Sequence, residues 1–482
     1  MDRVAPDMTR TNAGAERLAH DIDLSFEQVV LPSLGEYIEI ACLSPAFDPN
    51  WAQTGAMHKA AEHLLSWCRG RALREAHFEI VELDGLTPVL FAEIAATDPQ
   101  RRDSTTLVYG HFDKQPPLGD WRDGLEAFRA VREGDRLYGR GSADDGYATY
   151  SAMCALEALT ANALQHGRVV ILIESSEESG SKDLDSYFAH LAHRIGEPRL
   201  VVCLDSGCAT YDRLWMTTSL RGVLVGNLRV DVLDDGIHSG MGGGIVPSSF
   251  RIARELLSRL ENEHTGEIAL SELNATIPSH RDHEIAAVAD EFGEDVIETF
   301  PTVKGLKLRG SGPKERLVEG TWKPALEVIG AEGLPALKDA GNVLRAHTTL
   351  KLSIRLPPTC DPTRAARAVA STLLHDPPDG ASVSFTVEQS ANGWDAPVLA
   401  PWLARALDEA SPAFFKAPWR AIGFGGTIPF LAALADRFPD AQFLATGVLG
   451  PEANAHGPNE FLHIPTFKAL TATIAHVLAV AP

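Results

Sequence analysis

The sequence predicts an α/β protein built on a mostly parallel sheet with helices on both faces, its chain interrupted by an inserted α+β unit of the ferredoxin-like βαββαβ order. Three observations predict this. Short apolar strands alternate with helical stretches before about residue 218 and again after about 390, the pattern of a sheet covered on both sides. Between those points the order changes to strand, helix, strand, strand, helix, strand. Several apolar strands end in a histidine or a carboxylate, at the edge where open α/β sheets form their ligand crevices. The expected division is therefore residues 1–218 with 390–482 as one domain and 219–389 as a second domain inserted into it.

Taken in order, the chain opens on a polar stretch, expected to be loosely ordered up to about Ile22. Phe26 to Ala41 and Trp51 to Arg69 carry helical apolar spacing, separated by the breaker Pro45 to Pro49. Phe78 to Leu83 and Val89 to Ile94 alternate as strands. Thr106 to Tyr109 is a β-branched, aliphatic and aromatic run released by Gly110, so that His111 and Asp113 fall just past its carboxyl end. The helix following Asp144, expected to reach about Gln165, is apolar nearly all round and reads as buried. In the inserted unit, Leu220 to Leu233, Ala325 to Ile329, Thr348 to Leu356 and Ser382 to Val387 read as strands. Ser249 to Leu260 and Pro362 to Leu374 read as its helices, and Glu261 to Lys323 as an insertion containing a helix at Asp282 to Phe292. The first pattern returns with helices at Pro401 to Glu409 and Ile428 to Ala435, a strand at Gln442 to Ala445 and a last helix from Thr466 to Val480.

Composition excludes several classes of partner. A formal net charge of -22 would repel a phosphate backbone or an anionic membrane surface, so neither nucleic acid nor membrane is expected to bind. No apolar run approaches the ~18 residues of a membrane span, and Met1 to His20 lacks the apolar segment of a signal peptide, so a cytoplasmic location is expected. The six cysteines have neither CxxC spacing nor disulfide density and read as reduced, mostly buried residues.

The chemistry-bearing residues recur at strand ends. His111 and Asp113 follow one strand, Glu174, Glu177 and Glu178 another, and Asp205 a third; Asp144 and Asp145 precede a helix, and His456 lies in the loop Pro451 to Gly457. These are nitrogen and oxygen ligands with no thiolate among them, a set that suits zinc, manganese or cobalt in a hydrolytic site. Blander readings stand beside this one. Asp144 and Asp145 are also suited to capping the helix that follows, Glu177 and Glu178 to an exposed acidic loop, and Arg355 to a solvent-facing strand position. Gly240 to Gly244 lacks the lysine and the strand-to-helix context of a phosphate loop.

Seven stretches, in order, resemble the metallopeptidases of the M20 family, closest to its dipeptidase branch. They are GHFDKQPP from Gly110, RGSADD from Arg140, ESSEESGS from Glu174, IHSGMGGG from Ile237, KLSIRLPP from Lys351, FGGTIP from Phe424 and AHGPNE from Ala455. The resemblance implies two divalent metal ions per subunit, with Zn2+ expected ahead of Mn2+ or Co2+. Asp144 would bridge them, His111 and Asp205 would complete one shell, and Glu178 and His456 the other. It further implies Asp113 as the partner orienting His111, and Glu177 as the base that activates a metal-bridging water. His238 would stabilise the oxyanion, and Arg355 would grip the free carboxylate of a substrate with Thr427 nearby. A cis peptide after Asp144 is also implied. The family's Asp-Asp-Lys-Gly is here Asp144-Asp145-Gly146-Tyr147, a departure at the turn beside the bridging residue. The function implied is hydrolysis of a dipeptide or similar small amide with a free carboxylate. A homodimer would form through the inserted lid domain, in which each His238 serves the other chain. The alternatives are an N-acyl or N-carbamoyl amino acid amidohydrolase of the same fold, and a catalytically silent binding protein.

Overall fold

A six-stranded sheet runs in the order Ala76–Val81, Val89–Ile94, Arg168–Glu174, Thr105–His111, Pro198–Cys203 and Gln442–Ala445 in the computed structural model, which describes residues 12–296, 300 and 302–482. The last four strands are parallel and the first two antiparallel, so the sheet is mostly parallel, as expected. Its strands are apolar on both faces because both are covered. Val108, Ile171 and Val202 point into a core shared with helices Tyr147–Ala161 and Ile464–Val480, while Leu107, Tyr109, Leu172 and Val201 point into a second core under Leu184–Ile195 and Pro429–Arg437. Tyr147–Ala161 is buried nearly throughout, as its all-round apolarity predicts.

The inserted sheet is antiparallel throughout, in the order Ala325–Glu332, His347–Leu356, Gly222–Asp231 and Ser382–Ala391. Helices Ser249–Leu257 and Pro362–Leu374 cover one face, burying Leu224, Leu228, Leu352 and Ile354. Strand alternation turns Val223, Val225, Ser353 and Arg355 to the other face, which looks across a cleft at the carboxyl edge of the parallel sheet.

Several expectations are corrected. Asn12–Ser25 is a helix rather than a loose segment, because Ala15, Leu18 and Ile22 fall on one buried stripe; the earlier residues of that expectation, 1–11, lie outside the described residues. Trp51 to Arg69 is two helices, Trp51–Thr54 and Ala56–Arg69, parted by Gly55 in the left-handed region at φ 73°. The helix after Asp144 ends at Ala161, short of Gln165. Leu220 to Leu233 is not one strand. Leu220 ends a separate strand, Trp215–Leu220, which pairs in parallel with Arg420–Phe424, and Arg221 breaks it from Gly222–Asp231. The 261–323 insertion holds the expected helix as Ser279–Phe292 and a further one, Pro313–Thr321. Both pack around Trp215, Trp322 and Ile422, fastening the insertion to the parallel-sheet side of the molecule. All six cysteines are free and buried. No helix among the described residues is long and apolar enough to cross a membrane.

Candidate metal centre

His111 is the last residue of its strand and is fully buried. The strand must pass close to the next turn to place it there. A Cβ on Gly110 would lie 2.6 Å from both Asp145 Oδ2 and Ala148 Cβ, so only glycine fits. The ring is oriented through Nδ1, 3.1 Å from the Asp113 carbonyl and 3.4 Å from its Oδ1. That leaves Nε2 facing Asp144 Oδ1 at 3.3 Å and Asp205 Oδ1 at 3.9 Å, a buried nitrogen with no hydrogen-bond partner. The carboxylate of Asp113 also accepts the backbone N–H groups of Glu177 and Glu178, at 3.2 and 3.0 Å. One aspartate thus fixes a histidine and the acidic pair together.

Asp144 stands between two groups. Its Oδ1 faces His111, and its Oδ2 lies 3.1 Å from His456 Nε2, which is in turn 3.2 Å from Glu178 Oε2. His111–Asp144–Asp205 and Asp144–Glu178–His456 each bring three ligand atoms within 4.8 Å of one another, compact enough to surround one ion with bonds of about 2.0–2.2 Å. The electrostatics favour a cation. Burial, with Asp144 and Glu178 nearby, pushes the Asp205 carboxyl up to about 7 despite His111, and burial and Asp144 raise Glu178. Burial would lower His456, yet its hydrogen bonds to Asp144 and Glu178 carry it up to about 11. The raised carboxyls of Asp205 and Glu178 and the raised His456 ring mark a site short of positive charge, which a metal ion supplies.

The turn after Asp144 shows why the residue pattern departs here. The Asp144–Asp145 peptide is cis, as the resemblance implies. Neither carboxylate caps the helix; Asp145 instead accepts the His111 N–H at 3.2 Å. A Cβ on Gly146 would lie 2.2 Å from Tyr37 Cε1 and 2.3 Å from the Gly141 carbonyl, so no side chain fits at this position. The buried ammonium near this turn is that of Lys114, which donates to the carbonyls of Tyr37, Ile38 and Ile40 and sits 4.0 Å from the centre of the Tyr37 ring.

Glu177 begins the short turn Glu177–Ser179 and belongs to neither ligand group. It lines the cleft, and burial together with Asp205 holds its carboxyl well above the usual range. The cleft has a volume of about 660 Å³, and its lining also includes Asp144, Glu178, Asp205 and His456. Arg355 and Thr427 line it as well, with Arg355 Nη1 donating to Thr427 Oγ1 at 3.0 Å. His238 is not brought there. It lies exposed on Ile237–His238, a strand paired with Val343–Leu344, and its Nδ1 accepts only the Gly240 N–H. Gly240 to Gly244 forms a four-residue helical turn, Ser239–Gly242, and an extended exit, unlike a phosphate loop.

Gln115 is a residue of the site that the resemblance does not single out, although it belongs to the stretch GHFDKQPP. Its Nε2 donates to Glu178 Oε2 at 2.6 Å, which holds that carboxylate toward His456. A side-chain amide two residues past Asp113 was the available signal.

Comparison with known proteins agrees with this architecture. The model of peptidase family M20/M25/M40 matches residues 107–480. The cysteinylglycine-S-conjugate dipeptidase of Corynebacterium striatum is 26% identical over 386 residues, covering 78% of this chain and 82% of that protein. The Cys-Gly metallodipeptidase DUG1 of Saccharomyces cerevisiae is 26% identical over 416 residues, covering 82% of each. A solved structure of the dipeptidase Dug1p from Saccharomyces cerevisiae superposes with a TM-score of 0.76 at 21% identity, covering 97% of this chain and 98% of its own. The chain belongs to peptidase family M20/M25/M40.

Proposed function

We propose, from that membership, that this hydrolase cleaves dipeptides bearing a free carboxylate, using two divalent cations. The observation that carries the reading is the pair of ligand groups sharing Asp144, with Glu177 beside both and part of neither. In this reading His111 and Asp205 hold one ion, Glu178 and His456 the other, and zinc is the ion expected from the donor set. Bound cations supply Lewis acidity toward the scissile carbonyl and acidify the attacking water. Glu177 takes the proton from that water and passes it to the leaving amine, a task open to a carboxylate that lines the cleft outside both ligand groups. Asp113 keeps His111 and the Glu177–Glu178 backbone in place, and Gln115 orients Glu178. At the other end of the cleft Arg355 grips the substrate carboxylate through its planar fork, with Thr427 beside it.

The division proposed is a metal-binding domain of residues 1–218 and 390–482, with 219–389 as a lid that also forms a homodimer. His238 then reaches the cleft of the partner subunit and stabilises the oxyanion there. Its exposure supports this, as do the apolar side chains around it: Met241 is 77% and Ile245 82% exposed, and Val343, its strand partner, is exposed as well. Dipeptides are favoured over N-acyl or N-carbamoyl amino acids because the two relatives named above are dipeptidases. A silent binding protein is disfavoured because every expected ligand and the expected base are present. The test is metal analysis of the purified protein, followed by hydrolysis of a dipeptide panel and an N-acyl panel with Zn2+, Mn2+ or Co2+ restored. Turnover of dipeptides ahead of N-acyl amino acids is expected, and the reverse order overturns the substrate assignment.

A further inference from the structure

We propose that Arg140 and Glu460 are positioning residues that hold the two ligand-bearing loops in register, Arg140 acting on the His456 side and Glu460 on the Asp144 side. The inference rests on the reading of the site as a two-cation centre. The two side chains are 1% and 0% exposed, and Arg140 Nη1 donates to Glu460 Oε2 at 2.7 Å. A buried ion pair adds little stability by itself, because desolvation offsets attraction, so its value lies in what it holds in place.

What it holds is specific. Glu460 Oε1 accepts the backbone N–H groups of Gly141, Ala143 and Asp144 at 3.0, 3.1 and 3.2 Å, gathering the turn that presents Asp144. Arg140 Nη2 donates to the Gly457 carbonyl at 2.7 Å, directly after His456. His456 has a φ of 63°, and Asn454 and Asn459 flank it at 55° and 64°. Non-glycine residues keep such backbone only where their surroundings over-determine it. The guanidinium fork therefore joins the carboxylate that shapes one ligand loop to the carbonyl that anchors the other, and His456 stays 3.1 Å from Asp144 Oδ2. Asp144 belongs to both ligand groups and His456 to one, so the two members of the pair are not equivalent.

That asymmetry separates positioning from mere structural support. Cobalt(II) is titrated into the full-length protein after chelation, read by calorimetry and visible absorption, with circular dichroism as the control for folding. Arg140→Lys keeps the charge opposite Glu460 but loses the fork. It is expected to weaken one of the two cobalt ions about tenfold or more while the other changes less than about twofold, within the range for groups that orient ligands. Glu460→Gln removes the charge that gathers the Asp144 turn and is expected to weaken both. In a His456→Ala background, where only the His111–Asp144–Asp205 group remains, Arg140→Lys should change binding less than about twofold and Glu460→Gln should still weaken it. Parallel losses at both ions in Arg140→Lys, or no loss in either variant with native circular dichroism, overturn the inference. Should Glu460→Gln unfold, the comparison of Arg140→Lys with and without His456→Ala decides alone. A wild-type protein that binds two cobalt ions but cleaves no dipeptide defeats the functional reading and leaves this inference standing.

Discussion

The two ends of the cleft are built differently. At the carboxyl edge of the parallel sheet, one chain brings His111, Asp144, Glu178, Asp205 and His456 together, and Asp113, Gln115, Arg140 and Glu460 hold them there through buried and part-buried hydrogen bonds. On the inserted domain, Arg355 faces the cleft, while His238 stands exposed on a two-stranded ribbon beside uncovered Met241 and Ile245. The first region is pre-organised by its own packing, and the second leaves His238 and its apolar neighbours exposed. In the proposed function this difference becomes a division of labour, with cation binding a property of one chain and oxyanion stabilisation a property of the dimer.

Variants that break this contrast rank by how many groups each side chain serves. Asp144→Asn touches both ligand groups and should lower cation affinity by more than ~10²-fold, beyond the range for groups that only orient ligands. Elemental analysis showing two ions retained would remove Asp144 from its bridging place. Glu177→Gln should keep both ions yet lower kcat by ~10²-fold or more, the scale of general-base catalysis. Near-normal turnover at full metal occupancy contradicts the role of Glu177. Arg355→Lys should reduce the preference for free over amidated carboxyl ends about tenfold, the lower bound for a hydrogen bond to a charged group. Equal losses on both substrates would assign Arg355 another task. Gly146→Ala forces a methyl group against Tyr37 and should cost about 1–3 kcal/mol of stability in denaturant titration, as overpacked cores do. An unchanged midpoint would show that the turn yields.

What was legible in the sequence follows from locality. Pro362–Leu374 was readable because Asp361 caps it, accepting the Thr363 N–H, and Pro362 starts it. The break between Trp215–Leu220 and the next strand is hard to read, since only Arg221 separates them and Gly222 already belongs to the second strand, so Leu220 falls inside the expected Leu220 to Leu233. Pro313–Thr321 was missed because it is charged, contains Gly320 and buries only Leu317 and Thr321. Within the site, the expected ligands were legible because they lie in recognisable stretches, His111, Glu178 and Asp205 at or just past strand ends, Asp144 before a helix and His456 in a loop. The Arg140–Glu460 pair was not, since its partners are 320 residues apart, and although each lies in one of those stretches nothing local shows that they meet. The collision that requires glycine at position 146 is with Tyr37, more than a hundred residues earlier in the chain.

The most direct test of the division between chain and dimer is complementation between His238→Ala and Glu177→Gln. Each homodimer should be nearly inactive, while both keep their cations. In a mixed dimer, the His238→Ala chain retains its own Glu177 and receives an intact His238 from its partner, so one of the two sites works. Random pairing of equal amounts makes about half the dimers mixed, and co-expression should restore roughly a quarter of wild-type activity. Mixed dimers verified by mass, with activity no greater than the sum of the two homodimers, would contradict the account.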